Sequence, residues 1–137
     1  KKELLRIPIF GWHLKKIGSI TIARDKISKD NYGFYDKIIS VTKNTKRPVI
    51  IFPQATRTLP DNKIPFKKGV SKIYEKLNFT CVPVALNSGD VWPKNGKLKS
   101  NTIIKISIIK SIPSGLEPNV FQEKIQEDLY NELEKIR

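Results

Sequence analysis

The chain has 137 residues, enough for a two-layer core and short for two independent ones, and its 39% hydrophobic and 28% charged residues exclude a disordered or fibrous chain. A formal net charge of +13 points to anionic partners, with nucleic acid, an acidic membrane surface and phosphorylated metabolites as the candidates. No apolar run approaches the roughly 20 residues of a membrane-spanning helix, and a single cysteine excludes an internal disulfide framework.

The sequence contains no Met and starts at Lys1, so an upstream segment of the reading frame is expected, and the part in hand is expected to be soluble or peripheral. Residues 1–17 mix Leu4, Leu5, Ile7, Ile9, Phe10, Trp12, Leu14 and Ile17 with Lys1, Lys2, Arg6, Lys15 and Lys16. Pro8 and Gly11 divide this stretch into a short helix to about Arg6, a bend, and a second helical piece before Gly18. Such a segment serves either as core packing with solvated lysines or as a membrane-interface surface.

Gly18 to Arg24 reads as a strand through Ile20 and Ile22, with Arg24 at its end. Residues 34–46 read as an amphipathic helix, followed by a basic loop to Arg47. Pro48-Val49-Ile50-Ile51-Phe52 is all apolar, as in a strand buried on both faces of a sheet. A helix follows over about Lys68 to Leu77, then strands at Thr80 to Leu86 and Thr102 to Ile109, then a terminal helix from Glu117 to Ile136. This alternation implies an α/β unit over 1–137, its mixed sheet covered by helices. Cys81, inside the apolar run Cys81 to Leu86, is expected to be a buried structural thiol.

The segment Ile51-Phe52-Pro53-Gln54-Ala55-Thr56-Arg57 runs from a buried strand into a polar, basic turn, the place where open α/β sheets bind ligands. There Arg57 can offer a guanidinium fork, and Thr56 a hydroxyl, to a phosphate. The string resembles the Phe-Pro-Glu-Gly-Thr-Arg motif of the lysophosphatidic acid (1-acylglycerol-3-phosphate) acyltransferase family. Upstream, Glu3-Leu4-Leu5-Arg6-Ile7-Pro8-Ile9-Phe10-Gly11 and Gly18-Ser19-Ile20-Thr21-Ile22-Ala23-Arg24 resemble that family's second block. Downstream, Phe66-Lys67-Lys68-Gly69 and Val82-Pro83-Val84 resemble later blocks. Ala85-Leu86-Asn87-Ser88-Gly89, with Trp92 after it, resembles a bacterial branch. The resemblance runs from about Lys2 to Trp92.

It implies the C-terminal portion of a glycerolipid acyltransferase domain. The activity implied is transfer of a fatty acyl group from acyl-CoA or acyl carrier protein to 1-acyl-sn-glycerol-3-phosphate, giving phosphatidic acid in phospholipid biosynthesis. It implies no metal or bound cofactor, no nucleic-acid partner, and an anionic membrane surface, on the cytoplasmic face of a bacterial inner membrane. Carried over by position, Arg24 and Arg57 become phosphate ligands, with Lys68 as a weaker third. The motif loop is Phe52, Pro53, Gln54, Ala55 and Thr56.

The chain departs from the motif where Gln54 replaces Glu, keeping hydrogen bonding but losing the charge, and where Ala55 replaces Gly. If that position needs a positive φ, Ala55 costs roughly 1 kcal/mol of strain. The family's catalytic His-x-x-x-x-Asp is absent: the one histidine, His13, is followed five places on by Gly18 and reads as structural or interfacial. The chain alone is therefore expected to be inactive, either as part of a longer or split acyltransferase or as a lipid-binding remnant. The remaining alternative is a basic nucleic-acid-binding domain, with Trp12, Tyr32, Phe34 and Trp92 as stacking groups.

Overall fold

A computed structural model describes residues 2–20, 33–45 and 48–137. The chain divides into two compact units, Lys1–Ile50 and Ile51–Arg137. In the first, a 3-10 turn over Lys2–Arg6 precedes helix α1, Phe10–Lys16. Gly11 makes this pairing possible, because a Cβ there would lie 2.3 Å from the backbone oxygen of Leu5. The helix carries Lys15 and Lys16 in its last turn, where cations oppose the negative end of its dipole, and Gly18 follows with φ +70°. The bend and the two helical pieces are as expected.

Helix α2, Phe34–Asn44, buries Ile38 and Thr42 one turn apart, and the Thr42 hydroxyl donates to the Ile38 carbonyl at 2.8 Å. The expected strand from Gly18 falls largely outside the described residues, as do Arg24 and Arg47, and Ser19 and Ile20 form no regular element.

The second unit is built on its last helix. Helix α5, Pro118–Ile136, starts where Pro118 pre-sets the first turn and the Glu117 carboxylate accepts from the backbone N–H of Asn119 at 2.8 Å and of Val120 at 3.1 Å. Its apolar stripe buries Phe121 and Ile125. Against it lies α3, Gly69–Leu77, which buries Val70, Ile73 and Tyr74 and ends at Asn78 with φ 50°. The rings of Tyr74 and Phe121 stack at 3.7 Å between centroids and 4° between planes. Phe66, Val70, Tyr74, Ile112, Phe121 and Ile125 form the core, with Ile51, Cys81 and Leu129 packed on it. Cys81 is half-buried rather than fully buried as expected, and its burial raises the thiol pKa, which keeps the group protonated near neutrality.

Strands β1, Val84–Leu86, and β2, Ile106–Ile108, pair antiparallel with Ala85 opposite Ser107. Ala85 is buried while Val84, Leu86, Ile106 and Ile108 face outward, and Ser107 donates to Glu132 of α5 at 2.7 Å. Helices with a small sheet make a mixed α/β unit, as the alternation implied. Two expected strands are shorter than their apolar runs: the first continues only as a bridge between Cys81 and Ile112.

The run 48–52 is a correction, because it forms no strand. Among the described residues the sheet consists of β1 and β2 and does not include this run, and a strand without a ladder is not stable on its own. Ile51 alone of this run packs on the core, while Ile50 is 80% and Phe52 75% exposed. A further short helix, α4, Ser88–Val91, occupies a stretch for which no element was predicted. No described helix is long and apolar enough to cross a membrane.

Candidate functional site

The motif loop begins as a turn in which the Ala55 N–H donates to the Phe52 carbonyl at 3.0 Å. Ala55 closes it with φ 57°, the left-handed region that glycine enters freely and an L side chain enters at a cost. The strain foreseen for alanine at this position is thus present. The Pro53 carbonyl accepts from the Lys67 N–H at 3.0 Å, which fastens the turn beside the start of α3. Lys68 sits there at the N-cap, its side chain exposed, one residue ahead of the helix in which it was expected. The structure therefore brings the motif loop and the Lys67-Lys68 pair together, and Arg24 lies outside the described residues.

Gln54 is half-buried, and its amide donates to the Tyr130 hydroxyl at 3.2 Å, which in turn donates to the Ile64 carbonyl at 2.6 Å. A glutamate at position 54 has no hydrogen to give when ionised, so this ordered chain of donors depends on the substitution of Gln for Glu. The hydrogen-bonding capacity that Gln54 keeps is, at its nitrogen, committed to α5.

Tyr130 is one rung of a longer arrangement. Along one edge of α5, Gln122 donates to the Phe66 carbonyl at 3.0 Å, Gln126 accepts from the Phe66 N–H at 2.8 Å, and Glu134 pairs with Lys63. Arg137 reaches the Pro60 carbonyl at 3.3 Å and the Asp61 carboxylate at 2.6 Å. The chain from Pro60 to Phe66 thus runs antiparallel to α5 and is tied to it at nearly every turn. These α5 residues were not foreseen as part of the site. The spacing of four from Gln122 to Glu134 was visible in the sequence, but the partners were not.

Arg57 and Thr56 are exposed. The Arg57 guanidinium carbon stands 5.8 Å from the ring centroid of Trp92, within the range of a cation–π contact, and among the described residues no carboxylate pairs with it. Its in-plane N–H donors therefore remain available to an anion.

The Acyltransferase family model matches residues 1–87, which include the motif loop and the Lys67-Lys68 pair. The chain belongs to the acyltransferase family. A Saccharomyces cerevisiae protein named 1-acyl-sn-glycerol-3-phosphate acyltransferase is 26% identical over 144 residues, covering 99% of this chain and 47% of its own length. Proteins of the same name are 30% identical in Helicobacter pylori, over 96% of this chain and 56% of their own, and in Pseudomonas aeruginosa, over 79% and 42%. The chain spans about half the length of these acyltransferases. No solved structure matches it significantly.

Proposed function

We propose that this chain supplies the acceptor-phosphate grip of a 1-acyl-sn-glycerol-3-phosphate acyltransferase, with Arg57 as the principal ligand, Arg24 as its partner and Lys68 as a weaker third. The observation that carries this reading is the exposed Arg57 guanidinium on a motif loop beside two lysines, with no described carboxylate to neutralise it. An arginine fork matches two oxygens of a phosphate monoester, and charge-assisted pairs of this kind are the strong ones.

In the reaction, the free glycerol hydroxyl attacks the thioester carbonyl of acyl-CoA or acyl carrier protein. A base takes its proton, the new ester forms, and the thiol leaves. The thioester is a substrate, and no resident cofactor enters. The base belongs to the His-x-x-x-x-Asp of the family, which this sequence does not contain. The residues here hold and orient the acceptor, which lowers the cost of bringing hydroxyl and thioester together. Exposed Ile9, Phe10 and Trp12 beside Lys15 and Lys16 suit contact with an anionic membrane surface, at the cytoplasmic face of a bacterial inner membrane. A lipid-binding remnant that does not catalyse is the second reading.

Binding of the chain to neutral vesicles doped with 1-acyl-sn-glycerol-3-phosphate tests the grip. Arg57→Ala is expected to weaken it about tenfold or more, the range of a lost charge-assisted hydrogen bond. Unchanged affinity removes Arg57 from the site. A thiol-release assay, on the chain alone and on a fusion supplying the His-x-x-x-x-Asp block, then separates the two readings: release by the fusion supports the enzyme, and release by neither supports the remnant.

A further inference from the structure

Resting on the reading of Arg57 as a phosphate ligand, we propose that Trp92 is a positioning residue for it: a fixed aromatic platform that aims the guanidinium without consuming its hydrogen bonds. A flexible arginine on an exposed loop loses rotamer freedom when it captures an anion, and any partner that holds it beforehand reduces that loss. A carboxylate in this role would neutralise the charge and occupy the N–H donors. An indole face does neither, because it attracts the cation through its π-cloud while the donors project in the plane of the guanidinium.

The backbone that carries the platform is held from several sides. Trp92 follows α4 directly, and its N–H donates to the Ser88 carbonyl at 2.8 Å. Ahead of the helix, the buried Asn87 accepts from the Lys105 N–H at 2.8 Å and donates to the Ile103 carbonyl at 3.4 Å. Within it, Val91 is buried, and its carbonyl accepts from Lys99 at 2.9 Å. Arg137 joins platform and loop, since the same guanidinium that binds the Pro60 carbonyl and Asp61 also meets Asp90 of α4 at 2.9 Å. The indole is 60% exposed, too open to be explained as core packing.

The test uses the 137-residue chain with Trp12→Phe, which leaves Trp92 as the only tryptophan. The probe is neutral vesicles doped with 1-acyl-sn-glycerol-3-phosphate, and lysophosphatidylcholine vesicles, lacking the monoester, serve as control. Trp92→Leu keeps apolar bulk but removes the π-face and is expected to weaken monoester-dependent binding about two- to fivefold, the worth of an exposed cation–π pair. Trp92→Tyr restores most of that loss, which a residue acting only as filler would not require. Arg57→Ala changes Trp92 emission before any vesicle is added. Tyrosine as weak as leucine, or emission indifferent to Arg57→Ala, overturns the platform. If Arg57→Ala weakens binding while Trp92→Leu does not, the platform alone falls. Unaffected binding in Arg57→Ala removes the phosphate reading beneath it. Should Trp92→Leu fail to fold, the emission comparison and the Tyr variant still decide.

Discussion

Two stretches of one loop, joined at Leu59, are held in opposite ways. From Pro60 to Phe66 the chain lies along α5 with backbone and side-chain groups matched in register by Gln122, Gln126, Tyr130, Glu134 and Arg137. From Pro48 to Leu59 it is tied at few points, leaves Ile50, Phe52 and Leu59 in solvent, and bends through a strained Ala55. The first stretch behaves as scaffold and the second carries the motif. A binding loop needs both: a fixed base sets where the ligand groups stand, and an open end leaves their donors unspent.

The comparison breaks first at Tyr130, the one rung that reaches into the open stretch. Tyr130→Phe keeps the ring packed against Phe66 but removes the hydroxyl, leaving the Ile64 carbonyl and the Gln54 amide short of a partner. The expected cost is about 1–2 kcal/mol, measured as a lower midpoint in urea at unchanged slope. A midpoint equal to that of the parent shows that water replaces the hydroxyl and that α5 does not hold the motif turn.

What the sequence revealed of this architecture follows the range of the interactions. Helices α2, α3 and α5 were legible because apolar residues such as Val70, Ile73 and Tyr74 recur within one helix, and Glu117-Pro118 marks its own start. The α5 ladder was not, because its partners lie between 56 and 77 residues away. Pro48 to Phe52 misled because an apolar run specifies a buried strand only where a neighbouring strand exists to pair with it. The candidate site divides in the same way. Arg57, Lys68 and the strain at Ala55 could be read from the motif string, whereas the use of Gln54 and the meeting of Arg57 with Trp92 depend on contacts across the fold.

The strain offers a gentler test of the open stretch. Ala55→Gly relieves roughly 1–2 kcal/mol of left-handed backbone cost and returns about 0.4–1 kcal/mol through the freer unfolded chain. The net expectation is a stabilisation of about 0.5–1 kcal/mol, seen as a higher melting temperature. A lower melting temperature shows that Ala55 does not hold its positive φ in solution.

The smallest effect belongs to the exposed Lys63–Glu134 rung of the scaffold. Hydrogen bonding to Lys63 holds the Glu134 carboxyl below its usual pKa, and the Ser107 hydroxyl, with Lys135, does the same for Glu132. A depressed folded pKa stabilises the native state above the unfolded value, near about 4.3, and that contribution disappears as pH falls through the folded value. Glu134→Gln should therefore melt slightly lower than the parent near neutral pH, with the gap closing as the pH is taken below about 4. Both partners are exposed, so added salt should shrink the gap as well. A gap constant in both pH and salt shows that the pair adds nothing through its charges. The register along α5 then rests on the neutral rungs Gln122, Gln126 and Tyr130 and on Arg137 at the end of the helix.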